Sequence, residues 1–273
     1  MDILSLTSAA SSLSLHGYHW TCETPKAVIV LIHGFGEHAG RYDTMAQYLC
    51  THNIAVVAID LRGHGQSPGP RGVVCHYDHL HADIDAVIDD AGQRYPDIPL
   101  ILYGHSMGGG LVLNYTLQNR RNIGAVIASA PLLALPQPIP QGVQILARGL
   151  SKLFPKLAIS QPIQGEKISR LPDEQALYMN DPLNHGRLGL RLADGMIAGG
   201  AWVLSQARQW DTPLLLMHAR DDQLTDFSAS AAFAANAQNC RFIPIDNTEH
   251  EIHNDTSRAH VYAAMTTFII EQI

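Results

Sequence analysis

Leu100-Ile101-Leu102-Tyr103-Gly104-His105-Ser106-Met107-Gly108 decides the fold. The first four residues read as a short buried strand, and the pattern from Met107 to Asn119 reads as a helix. Between them stands the G-x-S-x-G of Gly104–Gly108. A strand that turns directly into a helix at a serine lifts that hydroxyl above the end of a sheet. The flanking glycines admit close backbone packing that a Cβ would block. The pattern alone is short enough to arise by chance; its strand–turn–helix setting gives it weight.

Working outward, similar apolar runs recur. They are Ala27–Ile32, Asn53–Ile59, Ala125–Ala128, Pro213–Met217 and Arg241–Ile245, and each ends in a histidine, a serine or an aspartate. Apolar runs without alternation suggest strands buried on both faces, as in a parallel sheet. Helical patterns separate them. Ile84, Val87, Ile88, Ala91 and Tyr95 follow i, i+3, i+4, i+7, i+11 spacing, with Pro96 as the stop. Tyr42–Thr51, Ser228–Ala237 and Ser257–Gln272 also read as helices. This rhythm predicts an α/β fold, a mostly parallel sheet with helices on both faces. Leu13–Thr21 is expected as an antiparallel partner at one edge.

The rhythm breaks between Pro131 and Gln209. Pro131, Pro136, Pro138, Pro140, Pro155, Pro162, Pro172 and Pro182 punctuate this stretch, and Val143–Phe154 and Leu188–Arg208 are amphipathic within it. The expected organisation is a core of residues 1–130 and 210–273 with a helical insertion at 131–209. The insertion leaves from the C-terminal end of a strand, where open α/β sheets bind ligands, so it is expected to act as a cap.

Composition excludes several classes. In 273 residues, 46% are hydrophobic and 16% charged, which is globular rather than disordered. The formal net charge is −7 and there is no basic run, so a nucleic-acid partner is not expected. No apolar stretch approaches the roughly 18–20 residues of a membrane span. Met1–Leu15 contains Asp2 and no Lys or Arg, unlike the charged start of a secretory signal. Cys22, Cys50, Cys75 and Cys240 form no C-x-x-C pair and read as reduced thiols. A cytoplasmic protein is expected.

A serine hydroxyl needs a base to become a nucleophile. On a strand–turn–helix serine the partners follow in the order acid, then histidine. After the run ending at Met217 come three carboxylates, Asp221, Asp222 and Asp226; spacing to the strand favours Asp222. After Ile245 come His250 and His253, and His250 is favoured. An oxyanion needs backbone N–H donors. Met107, following the serine, is one candidate. Phe35, in the glycine-flanked loop after Ala27–Ile32, is the other.

Three stretches carry a resemblance to a known family. They are His33-Gly34-Phe35-Gly36-Glu37-His38-Ala39-Gly40-Arg41-Tyr42, Asp60-Leu61-Arg62-Gly63-His64-Gly65-Gln66-Ser67 and Gly104-His105-Ser106-Met107-Gly108-Gly109. They resemble the H-G-x-G-E-H-x-x-R-Y, D-x-R-G-H-G-x-S and serine motifs of the monoacylglycerol lipase / lysophospholipase branch of the α/β-hydrolases. Asp181-Pro182-Leu183, Asp222–Asp226 and His250–His253 agree more weakly. The resemblance is strong over 25–110, moderate over 210–255 and weak across the insertion. It implies an α/β-hydrolase fold, a triad of Ser106, Asp222 and His250, oxyanion amides from Phe35 and Met107, and no metal or other cofactor. It further implies a cap that opens onto lipid, and so transient membrane-surface contact. Ala219 departs from the family's usual glycine.

The expected substrate is a monoacylglycerol or similar single-chain lipid ester. Leu146, Leu150, Leu153 and Phe154 are candidates for holding the acyl chain, with packing of the cap onto the body as an equal alternative. A short-chain carboxylesterase is the nearest alternative. A peptidase would use Asp173, Glu174 or Asp194 to hold an amine, and a non-catalytic receptor would need no triad. His79-x-His81-x-Asp83 opens like a metal motif, but Ile84 stands where the next ligand belongs.

Overall fold

The computed structural model describes residues 1–118 and 121–273. Among the described residues, ten strands and eight α-helices follow in chain order. They are β1 (Asp2–Ser8), β2 (Leu13–Trp20), β3 (Ala27–Ile32), α1 (Asp43–Thr51), β4 (Ile54–Ile59), α2 (Asp78–Arg94), β5 (Leu100–His105), α3 (Met107–Gln118) and β6 (Ala125–Ser129). After these come α4 (Gln141–Leu153), β7 (Ala158–Ser160), α5 (Pro172–Asn180), β8 (Arg187–Gly189), α6 (Leu190–Ser205), β9 (Leu214–Ala219), α7 (Phe227–Ala234), β10 (Cys240–Ile245) and α8 (Arg258–Glu271). Asn119, the expected last residue of the helix after the serine, lies outside the described residues.

Eight strands form one sheet in the order β1-β2-β4-β3-β5-β6-β9-β10. From β4 to β10 every pairing is parallel. The expected edge strand β2 runs antiparallel to β4. Beyond it lies β1, antiparallel to β2 and absent from the sequence reading. Its side chains alternate: Leu4 and Leu6 face the core while Ile3, Ser5 and Thr7 face solvent.

Strand periodicity explains the two cores. Val28, Val30 and Ile32 of β3 point to one face and pack with α2, α3 and α6 residues such as Leu80, Leu111 and Leu192. Ala27, Ile29 and Leu31 point to the other, towards Met45 and Leu49 of α1 and Val261 and Phe268 of α8. Both faces of β3 and β4 are fully covered, which is why their sequences are unbroken apolar runs.

The segment 131–209 intervenes between β6 and β9, which are neighbours in the sheet. It is mostly helical, with a two-stranded antiparallel ribbon of β7 and β8 that the sequence reading lacked. These strands have three residues each and are largely exposed, too short for periodicity to register. α6 packs on α3, and α4 lies on α6.

Candidate active site

Ser106 occupies the turn between β5 and α3 with φ +53°, a left-handed backbone that a side-chain-bearing residue rarely adopts. The turn is held from three sides. Ser106 N–H donates to Ser129 O at 2.9 Å, and Ser106 O accepts from Leu132 N–H at 2.9 Å and Gly110 N–H at 3.0 Å. Gly108 lets α3 start directly against β3; a Cβ there would strike the carbonyl oxygens of Ile32 and His33. The strain at Ser106 is therefore imposed by close packing that the neighbouring glycines permit.

Asp222 follows β9. Its Oδ1 accepts from Leu224 N–H at 2.7 Å and Thr225 N–H at 3.0 Å. Its Oδ2 lies 2.7 Å from His250 Nδ1, 2.8 Å from Thr225 Oγ1 and 3.1 Å from His218 Nε2. Burial opposes ionisation, but His250, His218 and these donors outweigh it and hold the carboxyl well below its ordinary range. Ala219 takes ordinary strand backbone as the last residue of β9, so its departure from glycine leaves the turn intact.

His250 follows β10 in a loop and is buried. Burial alone would lower its pKa; the Asp222 carboxylate reverses this and raises it above 6.5. An Nδ1–H directed at Asp222 leaves Nε2 as the acceptor. His250 and Ser106 line one crevice with Gly34, Phe35, Glu37, His105, Tyr178 and Glu251. Its free volume is about 10 Å³, room for a single water.

The rival residues are placed elsewhere. Asp221 pairs with Arg170 at 2.7 Å, and Asp226 caps α7 by accepting from Ser228 N–H. His253 stacks on Tyr42 with ring centroids 4.6 Å apart. Burial lowers its pKa to about 4, so it stays neutral.

Phe35 follows β3 in a loop fixed through its neighbours. His33 Nε2 accepts from Leu61 N–H at 2.9 Å, so Nδ1 carries the proton and donates to Gly34 O at 2.7 Å. Gly34 N–H donates to Glu37 Oε1 at 2.6 Å. Glu37 also accepts from Tyr42 Oη and from Arg41, and Arg41 reaches across to both oxygens of Glu251. Burial, together with Glu251, raises the Glu37 pKa, whereas Arg41 overcomes burial to hold Glu251 ionised. This buried network ties the Phe35 loop to the residue following His250. The sequence reading gave no role to Glu37, Arg41, Glu251, His218 or Thr225. Four of them lie inside the quoted motifs, and His218 precedes Asp222 by four residues, but their contacts arise only on folding.

Leu146, Leu153 and Phe154 are 63%, 74% and 59% exposed. Leu150, Leu153 and Phe154 line an open depression with Leu157, and none of the four candidate acyl residues lines the crevice at Ser106. A separate apolar pocket of about 180 Å³ is lined by Leu132, Leu133, Leu135, Ile139, Met196 and Ile197 among others, and it shares no lining residue with the crevice. Leu132 is the residue whose N–H binds Ser106 O. Asp194 pairs with Arg148 and Glu174 with Arg258; neither they nor Asp173 line the crevice. Asp83 is engaged by Arg62 through two hydrogen bonds, and among the described residues no metal-binding cluster of His, Cys, Asp and Glu occurs.

A family model described as Hydrolase_4, serine aminopeptidase S33, matches residues 23–257. A Mycolicibacterium smegmatis protein named monoacylglycerol lipase is 30% identical over 258 residues, covering 93% of this chain and 92% of that protein. A Dictyostelium discoideum uncharacterized abhydrolase domain-containing protein is 34% identical over 274 residues, but this chain spans only 29% of its length. The crystal structure of a Paleococcus ferrophilus monoacylglycerol lipase superposes with a TM-score of 0.86 at 28% identity, covering 95% of this chain and 99% of that one.

Proposed function

The chain belongs to the Hydrolase_4 family, in the monoacylglycerol lipase-like branch of the α/β-hydrolases, and we propose that it hydrolyses monoacylglycerols and similar single-chain lipid esters through an acyl-enzyme on Ser106. The observation that carries this reading is the 2.7 Å contact of His250 with the buried side chain of Asp222, with His250 in one crevice with the strained Ser106 and Phe35.

His250 Nε2 takes the Ser106 proton as Oγ attacks the ester carbonyl. Asp222 keeps the proton on Nδ1 and stabilises the imidazolium that forms. The N–H groups of Phe35 and Met107 receive the oxyanion; removing one such donor typically costs about 10²–10³ in rate. His250 then protonates the departing glycerol-like alcohol, and water repeats the sequence on the acyl-enzyme. The pocket lined by Leu132, Leu133, Met196 and Ile197 is suited to an acyl chain, since it is apolar and the Leu132 backbone is hydrogen-bonded to that of Ser106. The exposed apolar residues of α4 suit a lipid surface instead.

Residues 131–209 act in this reading as a cap over the core of 1–130 and 210–273. Ile163, Ile168 and Tyr178 from that segment border the crevice, so a lipid ester reaches Ser106 only after part of it shifts.

The test is hydrolysis of monoacylglycerols and p-nitrophenyl esters from short to long acyl chains, with Ser106→Ala alongside. Turnover peaking on medium or long monoacylglycerols, and falling at least about 10⁴-fold in Ser106→Ala, is expected. Activity confined to acetate and butyrate esters would replace this reading by a short-chain carboxylesterase. Cleavage of aminoacyl anilides without ester turnover would replace it by a peptidase.

A further inference from the structure

The loop joining α5 to β8 belongs to the 131–209 segment, yet it is fastened to the core beside the Phe35 amide. Asp181 Oδ1 accepts from Leu183 N–H at 2.8 Å, closing a local turn, and its Oδ2 lies 2.9 Å from His38 Nε2. Burial opposes ionisation of Asp181, but the His38 contact outweighs it and holds the carboxyl below its ordinary range. Four residues later, His185 N–H donates to Gly36 O at 2.8 Å. The His185 ring donates from Nε2 to Gly63 O at 3.1 Å and accepts at Nδ1 from Arg187 N–H at 3.3 Å, which fixes one neutral tautomer. Its edge meets the Phe35 ring with centroids 5.9 Å apart. Gly36 has φ +75°, and a Cβ there would strike the His185 carbonyl.

Gly34 is thus held from the core by His33 and Glu37, while Phe35, Gly36 and His38 are held from the inserted segment. We infer that Asp181 and His185 are positioning residues that aim the Phe35 N–H at the oxyanion, so that the segment covering Ser106 also completes its oxyanion site. Neither residue lines the crevice, so both act through the loop rather than on substrate. A donor stabilises developing charge only if it is oriented in advance, and a misplacement of about 1 Å can cost about 10²-fold. The inference rests on the assignment of Ser106 and Phe35 made above, not on which ester is cleaved.

The experiment measures Ser106 phosphonylation by a fluorophosphonate, a reaction that needs nucleophile and oxyanion donors but has no ester preference. It is run on the wild type, Asp181→Ala, Asp181→Asn, His185→Ala and His185→Gln, with Tm and with kcat and KM on p-nitrophenyl butyrate. The alanine variants should slow phosphonylation and kcat together by about 10-fold with KM little changed. The asparagine and glutamine variants, which keep a hydrogen-bonding side chain in place, should recover most of the loss. Should Asp181→Ala not fold, Asp181→Ser carries the same expectation, because its hydroxyl keeps the local turn but does not reach His38. Folded variants that melt earlier yet react at the wild-type rate would reduce both residues to structural roles and overturn the inference. A raised KM at unchanged kcat would also overturn it. A wild type that is phosphonylated but hydrolyses no lipid ester would sink the proposed substrate, while phosphonylation of the variants would still decide this question.

Discussion

Asp222 receives more donors than the orientation of one histidine requires. Two backbone amides, the Thr225 hydroxyl and His218 share it with His250. Such a carboxylate stays ionised, and that sets the charge behaviour of His250. The base works only when neutral, and its folded pKa is raised above 6.5. Activity should therefore be full at alkaline pH and fall as pH drops through the raised His250 pKa; an activity that does not fall on the acid side would contradict the assignment. Asp222→Asn should lower kcat by about 10⁴-fold, because an amide does not hold the productive tautomer. Arg41 raises a separate issue of stability. It neutralises two buried carboxylates, Glu37 and Glu251, which share one cation. Arg41→Met leaves both without it, and breaking a buried pair typically costs about 3–5 kcal/mol. Urea unfolding of Arg41→Met should show a loss of that order, whereas a loss below about 1 kcal/mol would mean that water reaches the pair.

Helix α4 shows that an amphipathic pattern does not say what the apolar face meets. The pattern predicts the helix well, as Gln141–Leu153 against the expected Val143–Phe154. It does not distinguish a lining for an acyl chain, a seam with the core and a surface left open. The structure leaves Leu153 and Phe154 exposed. Replacing both by Ser should therefore change stability by no more than about 0.5 kcal/mol and spare p-nitrophenyl butyrate hydrolysis. Turnover of long-chain monoacylglycerol presented in micelles should drop several-fold. A Tm loss of many degrees would instead mean that this face packs against the body. The parallel strands were legible because strands buried on both faces admit almost no polar residue, and the Ser106 turn because G-x-S-x-G sat between two clear elements. The Asp222–His250 pair, proposed as acid and base, was suggested by chain order at strand ends, and the structure brings the two within 2.7 Å. β1 and the β7–β8 ribbon were not, since edge strands need only half an apolar pattern and three residues show no period. The Asp181–His38 and Arg41–Glu251 contacts join residues more than a hundred positions apart, a separation no local pattern encodes.

The molecule as a whole is acidic, but its charge is unevenly divided. Residues 131–209 contain eight Lys or Arg and five Asp or Glu, and the remainder contains ten and twenty. The inserted segment thus carries +3 against −10 for the rest. Exposed Lys152 and Lys156 lie in the same stretch of chain as exposed Ile145, Leu146, Leu153, Phe154 and Leu157. Among the described residues no helix is long and apolar enough to cross a membrane. Under the proposed function, an anionic bilayer would attract the basic segment and repel the acidic core, and so would turn the Ser106 side towards the lipid. Binding of Ser106→Ala to phosphatidylcholine vesicles should therefore rise when phosphatidylglycerol is added. That increment should vanish at about 1 M salt, where the screening length falls from about 10 Å at 0.1 M to about 3 Å. Lys152→Glu with Lys156→Glu should remove the increment while leaving hydrolysis of a dissolved butyrate ester at the wild-type rate. Equal binding to both vesicles at low salt would mean that apolar contact alone brings the enzyme to its substrate, and that the charge division serves only to keep the core off the surface.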